Sequence, residues 1–139
     1  MDIPVLSPLV SERIWALPIG AAAVKFLNYL VYRSDFGGAI PVPQKQMAIE
    51  YKVVPSTVSV MLDQLVELNI VLRAPGGVGK KGNTYCLHPL AAKYESMEAL
   101  EAGWHQALLD MRAGRLVGLN LPEYQTVPPA AGDRRLQVA

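Results

Sequence analysis

A chain of 139 residues, 51% of them hydrophobic, has room for one compact core and modest extensions. Its longest apolar stretch, Ile14 to Leu30, is interrupted by Pro18, Gly20, Lys25 and Asn28, so no membrane span is expected; Asp2 and Pro4, with no basic n-region, argue for a cytoplasmic protein. The net charge of +1 would be thin for a nucleic-acid binder if spread evenly, but residues 21–89 carry seven basic side chains against four acidic ones, and 90–112 four acidic against two basic.

Residues 1–19 read as an N-terminal arm, because Pro4, Pro8 and Pro18 favour extended chain with one short helical turn near Ser11 to Leu17. From Gly20 to Ser34, Val24, Leu27, Leu30 and Val31, broadened by Phe26 and Tyr29, recur at helical spacing. Asp35, Gly37 and Gly38 close that helix, and Ala39 to Val42 fits a brief strand. Gln44 to Tyr51 places Met47, Ala48 and Tyr51 on one face of a two-turn helix. Pro55 then occupies a first helical position, where its missing N–H is no loss, and Val58, Met61, Leu62, Leu65 and Leu68 form the cleanest amphipathic stripe of the centre, ended by Asn69. Ile70 to Ala74 and Asn83 to Leu87 alternate as strands on either side of the loop PGGVGKKG. Cys86, the only cysteine, fits a small hydrophobe on the second of these strands better than a reactive thiol. Between Ala91 and Met111 a last helix carries Tyr94, Met97, Leu100, Trp104, Leu108 and Met111 on one face. Residues 114–139 form a tail, in which RLVGLNLPEY suits a short strand or extended chain.

The order helix, short strand, helix, turn, helix, strand, basic glycine-rich loop, strand is that of a winged helix-turn-helix, and the resemblance covers about Ala21 to Pro89. Within QKQMAIEYKVVPSTVSVMLDQLVELNIV, Ala48 matches the small residue where the two helices cross, Val53 the buried position after the turn, and Val58 the core residue of the second helix. STVS with its Leu-rich continuation is similar to MarR-like regulators; LNYL, LNIVLR and TYCLHP also resemble plasmid replication proteins of the RepL type. The expected fold class is therefore mainly α with a small β-wing: a winged helix-turn-helix at 20–89 and a C-terminal helix at 90–113. Lys52 departs from the pattern by standing where the turn usually has glycine. This implies a left-handed residue, costing on the order of 1 kcal/mol, or a turn of different shape.

The resemblance implies binding of double-stranded DNA, with the helix that begins at Pro55 entering the major groove. Its exposed start, Pro55, Ser56, Thr57, Ser59 and Val60 with Asp63 beyond, holds no Arg, Lys or Asn, so strong bidentate base reading is not available there. Hydroxyls bond to several base edges, and the Thr57 methyl and Val60 suit thymine methyls, so a permissive, A·T-leaning readout helped by DNA shape is expected. The bland alternative is that these residues only cap and solvate a helix start. Lys80 and Lys81 at the loop tip suit phosphates, though lysines there also deter edge-to-edge aggregation. Gln44, Lys45 and Lys52 would lie near the same backbone, and Arg73 would face DNA or solvent.

His88 and His105 have no cysteine or carboxylate at ligand spacing, so no zinc site is expected; GGVGKKG lacks the Lys-Ser/Thr pair and the following helix of a phosphate loop. With no nucleophile motif either, no enzyme activity and no cofactor are expected. The expected function is a transcriptional regulator, a repressor. The alternatives are a plasmid replication or maintenance protein at an origin or partition site, and an interaction module that has lost DNA binding. The apolar stripe 94–111 has two uses open to it: a homodimer interface centred on Trp104, which is the expectation, or packing onto the first helix of its own domain.

Overall fold

The chain enters through α1 (Pro8–Ser11), which begins at a proline whose fixed φ suits a first turn and buries Leu9 and Val10; a 3-10 turn at Ile14–Ala16 follows. The short helical turn expected near Ser11 to Leu17 is thus split, with the α-helical part displaced toward Pro8. α2 (Ala21–Arg33) buries Phe26, Leu27 and Leu30 on the expected stripe. Then come β1 (Ala39–Ile40), α3 (Gln44–Tyr51), α4 (Pro55–Glu67), β2 (Val71–Pro75), β3 (Asn83–Leu87) and α5 (Met97–Arg112). The structure, a computed structural model, describes residues 3–75 and 83–121. It is mainly helical, with one small antiparallel sheet of strand order β1-β3-β2.

Two left-handed residues shape the centre. Lys52, at φ 61° and ψ 48°, ends α3: its N–H and that of Val53 both reach Ala48 O, which turns the chain sharply into Pro55. The turn therefore keeps the left-handed conformation usually given to glycine. Asn69, at φ 63°, ends α4 in the same way, with Asn69 N–H donating to Val66 O (2.9 Å) and Ile70 N–H to Leu65 O (3.1 Å). Leu65 and Ile70 are both fully buried, the apolar contact that accompanies such an ending.

α4 is the central element, packed by α2, α3 and β2 through Val58, Met61, Leu62 and Leu65. Register sets Val71 opposite Leu87, Leu72 opposite Cys86 and Arg73 opposite Tyr85, so the buried Val71 and Leu87 face the helices. Cys86 is half-buried, and burial pushes its thiol up, as suits a packing residue. α2 and α3 are joined at the surface by Glu50, which accepts from the Tyr29 hydroxyl (2.6 Å) and from Arg33 Nε (2.8 Å) and Nη2 (3.1 Å). The Arg33 guanidinium, then the Tyr29 hydroxyl, hold the Glu50 carboxyl down to about 2.

Both extensions join the same core. Val5 and Tyr94 exchange backbone hydrogen bonds of 2.8 and 2.9 Å, and Leu9, Val10, Leu119 and Leu121 belong to the hydrophobic cluster. Asn120 N–H donates to Leu68 O (2.8 Å) and its side chain to Glu67 O (3.1 Å), so Asn120 satisfies carbonyls left open at the end of α4. His88, fully buried, holds the segment with Nε2 at 2.7 Å from Val117 O, while Nδ1 accepts from Leu90 N–H at 3.1 Å. The last helix starts at Met97, later than the expected Ala91. Ser96 caps it by accepting from Ala99 N–H, and Tyr94 is drawn into extended chain by its bridge to Val5.

Candidate nucleic-acid interface

α4 begins at Pro55 with extended Val54 before it and no side chain capping its N-terminus. Its core stripe fixes what faces out. With Val58, Met61, Leu62 and Leu65 buried, Pro55, Ser56, Thr57, Val60 and Asp63 are exposed and Ser59 is half-buried at the edge toward α3. Hydroxyl groups thus share the first turn with the Ser56 N–H, while the N–H groups of Thr57 and Val58 donate to Val54 O (3.0 and 3.4 Å).

Lys45 on α3 and Lys52 in the turn are exposed, and neither has an ion-pair partner among the described residues. Both stand on the sequence run that leads into the N-terminus of α4. Arg73 lies elsewhere. Its guanidinium pairs with Asp63 (3.1 Å) and stacks over the Tyr85 ring at 5.7 Å, which holds it against the outer face of α4. Between these two elements runs an open groove of about 480 Å³ lined by Val60, Asp63, Gln64, Val66, Glu67 and Arg73. The face is therefore graded: cations and hydroxyls lie at the start of α4, carboxylates toward its end.

Gln44 stands at the start of α3 as expected, with its side chain bonded within the protein. Its Nε2 donates to Ser59 Oγ, and its Oε1 accepts from the Tyr85 hydroxyl (3.1 Å), so one donor and one acceptor site of the amide are used inside the protein. Tyr85 was not among the sequence candidates. The signal available was its register, since strand alternation places it on the same face as the buried Leu87. Lys80 and Lys81 lie outside the described residues.

The apolar stripe divides. Tyr94 and Leu100 are buried in the chain's own core, with Trp104 and Met111 partly buried against it, whereas Met97 and Leu108 are exposed with Leu109 beside them. Tyr94 packs its ring on Gly103 and donates its hydroxyl to Pro89 O (2.8 Å). The described residues bring together no three His, Cys, Asp or Glu side chains able to hold a metal ion, and none of their helices is long and apolar enough to cross a membrane. No family model matches this sequence, and no curated protein matches it.

Proposed function

We propose that the chain is a winged helix-turn-helix protein that binds double-stranded DNA with α4 as recognition helix and represses transcription by occluding a promoter. The observation that carries this reading is the start of α4: a helix N-terminus with no side-chain cap, presenting Ser56 and Thr57, entered through a left-handed turn and accompanied by Lys45 and Lys52, which have no ion-pair partner among the described residues. A helix exposed in this way fits the major groove end-on, with the Ser56 N–H and the two ammonium groups meeting phosphates. Two copies on one duplex would offset a recognition helix poor in bidentate readers, and the exposed Met97, Leu108 and Leu109 of α5 supply an apolar patch for that pairing.

The test is selection of bound fragments from the source organism's total DNA, followed by binding at two salt concentrations. Enriched, spaced half-sites with affinity that falls steeply with salt are expected. Sites at a promoter support the repressor; sites at origin repeats support the replication role that LNYL, LNIVLR and TYCLHP suggest. A second reading, an interaction module, is favoured by Asp63 and Glu67 and by Val60, which is 58% exposed on the same helix. No affinity for duplex DNA at low salt selects it.

A further inference from the structure

The core stripe of α4 fixes its outermost line. With Val58, Met61, Leu62 and Leu65 buried, Ser56, Val60, Asp63 and Glu67 recur at helical spacing on the opposite side, and all four are exposed. Ser56 and Asp63 stand about 10 Å apart along the axis. Residues at that spacing on one face both reach base edges when a helix enters the major groove inclined. Asp63 differs from the others in being held to the sheet. Its Oδ1 accepts from Arg73 Nη2 (3.1 Å), and the Arg73 guanidinium lies over the Tyr85 ring at 5.7 Å. The Asp63 side chain is still 71% exposed, and among the described residues Oδ2 has no donor. An ion pair this exposed adds little stability, so what Arg73 supplies is charge. A lone carboxylate on a face turned toward a duplex is repelled by the phosphates, whereas the pair is neutral.

We infer that Asp63 is the specificity-determining residue of α4, its carboxylate accepting from the N4 amino group of cytosine, with Arg73 as the positioning residue that neutralises it beside the phosphates. This rests on the proposed DNA-binding function. A carboxylate has acceptor sites and no donor. In the major groove guanine presents N7 and O6 and thymine presents O4, so both set acceptor against acceptor. Adenine carries its N6 donor beside its own N7 acceptor, and cytosine alone offers a donor with no acceptor on the same base edge. The hydroxyls of Ser56 and Thr57 donate and accept alike and make no such distinction. The residue that lowers the general affinity of this face thus supplies the base choice that its hydroxyls lack.

The experiment is selection from a random duplex library by the full chain and by its Asp63→Ala, Asp63→Asn and Arg73→Ala variants, read as base preference at each position and as absolute affinity. One hydrogen bond to a charged group corresponds to about a tenfold preference. The wild type should favour cytosine about tenfold over guanine and thymine at one position, and Asp63→Ala should erase that preference. Asp63→Asn, which carries a donor beside its acceptor, should move the preference at the same position to adenine. Arg73→Ala should keep the cytosine preference and weaken binding to every sequence, about eightfold at 0.1 M salt for one charge. In the Asp63→Asn background the same change should cost little. Equal losses in both backgrounds assign Arg73 to a phosphate and overturn its role. Identical preferences in wild type and Asp63→Ala overturn the inference and leave DNA binding intact, and a gain in affinity without a change of preference does the same. If the wild type binds no duplex at low salt, the DNA-binding reading itself falls. Thermal midpoints within a few degrees of wild type show that the variants keep the fold.

Discussion

Replacing Lys52 by glycine and by alanine separates two consequences of one residue. At φ 61° and ψ 48° its Cβ crowds the following carbonyl, which costs roughly 1 kcal/mol for any residue but glycine. Glycine removes that cost but loses about 0.5–1 kcal/mol through the larger freedom of the unfolded chain, so K52G should lie between neutral and about 0.5 kcal/mol more stable. K52A keeps the left-handed strain and should not gain. In urea, with a slope of about 2 kcal/mol per M, the midpoint of K52G should exceed that of K52A by up to roughly 0.25 M. Both variants lose the ammonium group. If Lys52 meets a phosphate, each should bind DNA with a slope of log K against log salt shallower by about 0.9, which is roughly eightfold weaker binding at 0.1 M salt. A K52G no more stable than K52A refutes the turn argument. Unchanged salt slopes in both variants remove Lys52 from the interface, whatever their stability.

The other predictions concern packing and titration. Glu50, held down to about 2 by Arg33 and Tyr29, contributes stability that is present above about pH 4.5 and lost as pH falls toward 2; Glu50→Gln should flatten that part of the stability–pH curve, and an unchanged acid limb would break the assignment. His88 is kept neutral mainly by burial, its pKa lowered from 6.5, so its contribution is complete above that value and declines as pH falls below it. Protonation would set an Nδ1–H against Leu90 N–H, and His88→Gln, whose amide nitrogen can still reach Val117 O, should be less sensitive between pH 7 and 5 in chemical denaturation. Equal slopes for the two proteins would show that another group governs that range. A Cβ on Gly103 would stand 2.6 Å from the Tyr94 ring, so Gly103→Ala should lose about 1–3 kcal/mol by overpacking. The same change in a Tyr94→Leu background should cost less, and full additivity of the two would place the strain elsewhere.

What could be read along the chain was local. The bounds of α3 at Gln44 and Tyr51, the start of α4 at Pro55 and its stop before Asn69 all follow from apolar spacing, one proline and one residue tolerant of positive φ. Lys52 shows the same logic from the other side, because the pattern around it forced a left-handed turn that its own side chain does not favour. Errors arose where a distant segment took a residue out of its local pattern. Tyr94 falls three positions before Met97 and fits a helical stripe, yet its backbone is paired with Val5, and the helix waits for Ser96 to cap it. Helical spacing could identify the apolar side of α5 but not that residues 3–10 and 119–121 would cover part of the core, leaving Met97 and Leu108 outside.

The candidate interface obeys the same division, with a sharper effect on chemistry. Reading Ser56, Thr57 and Ser59 as equivalent hydroxyls is correct for α4 in isolation, since all three lie within its first two turns. In the folded chain they differ, because Ser59 is bonded to a residue 15 positions away that is itself bonded to one 41 positions away. Arg73 is diverted in the same manner, drawn to Asp63 and the Tyr85 ring rather than left as a free cation. Tyr85 is common to both effects: its hydroxyl bonds to Gln44, and its ring carries Arg73. The surroundings of Ser59 and Asp63 thus depend on one strand residue that lies far from the helix in sequence, and Tyr85→Phe, which keeps the ring and removes the hydroxyl, separates its contact with Gln44 from its contact with Arg73.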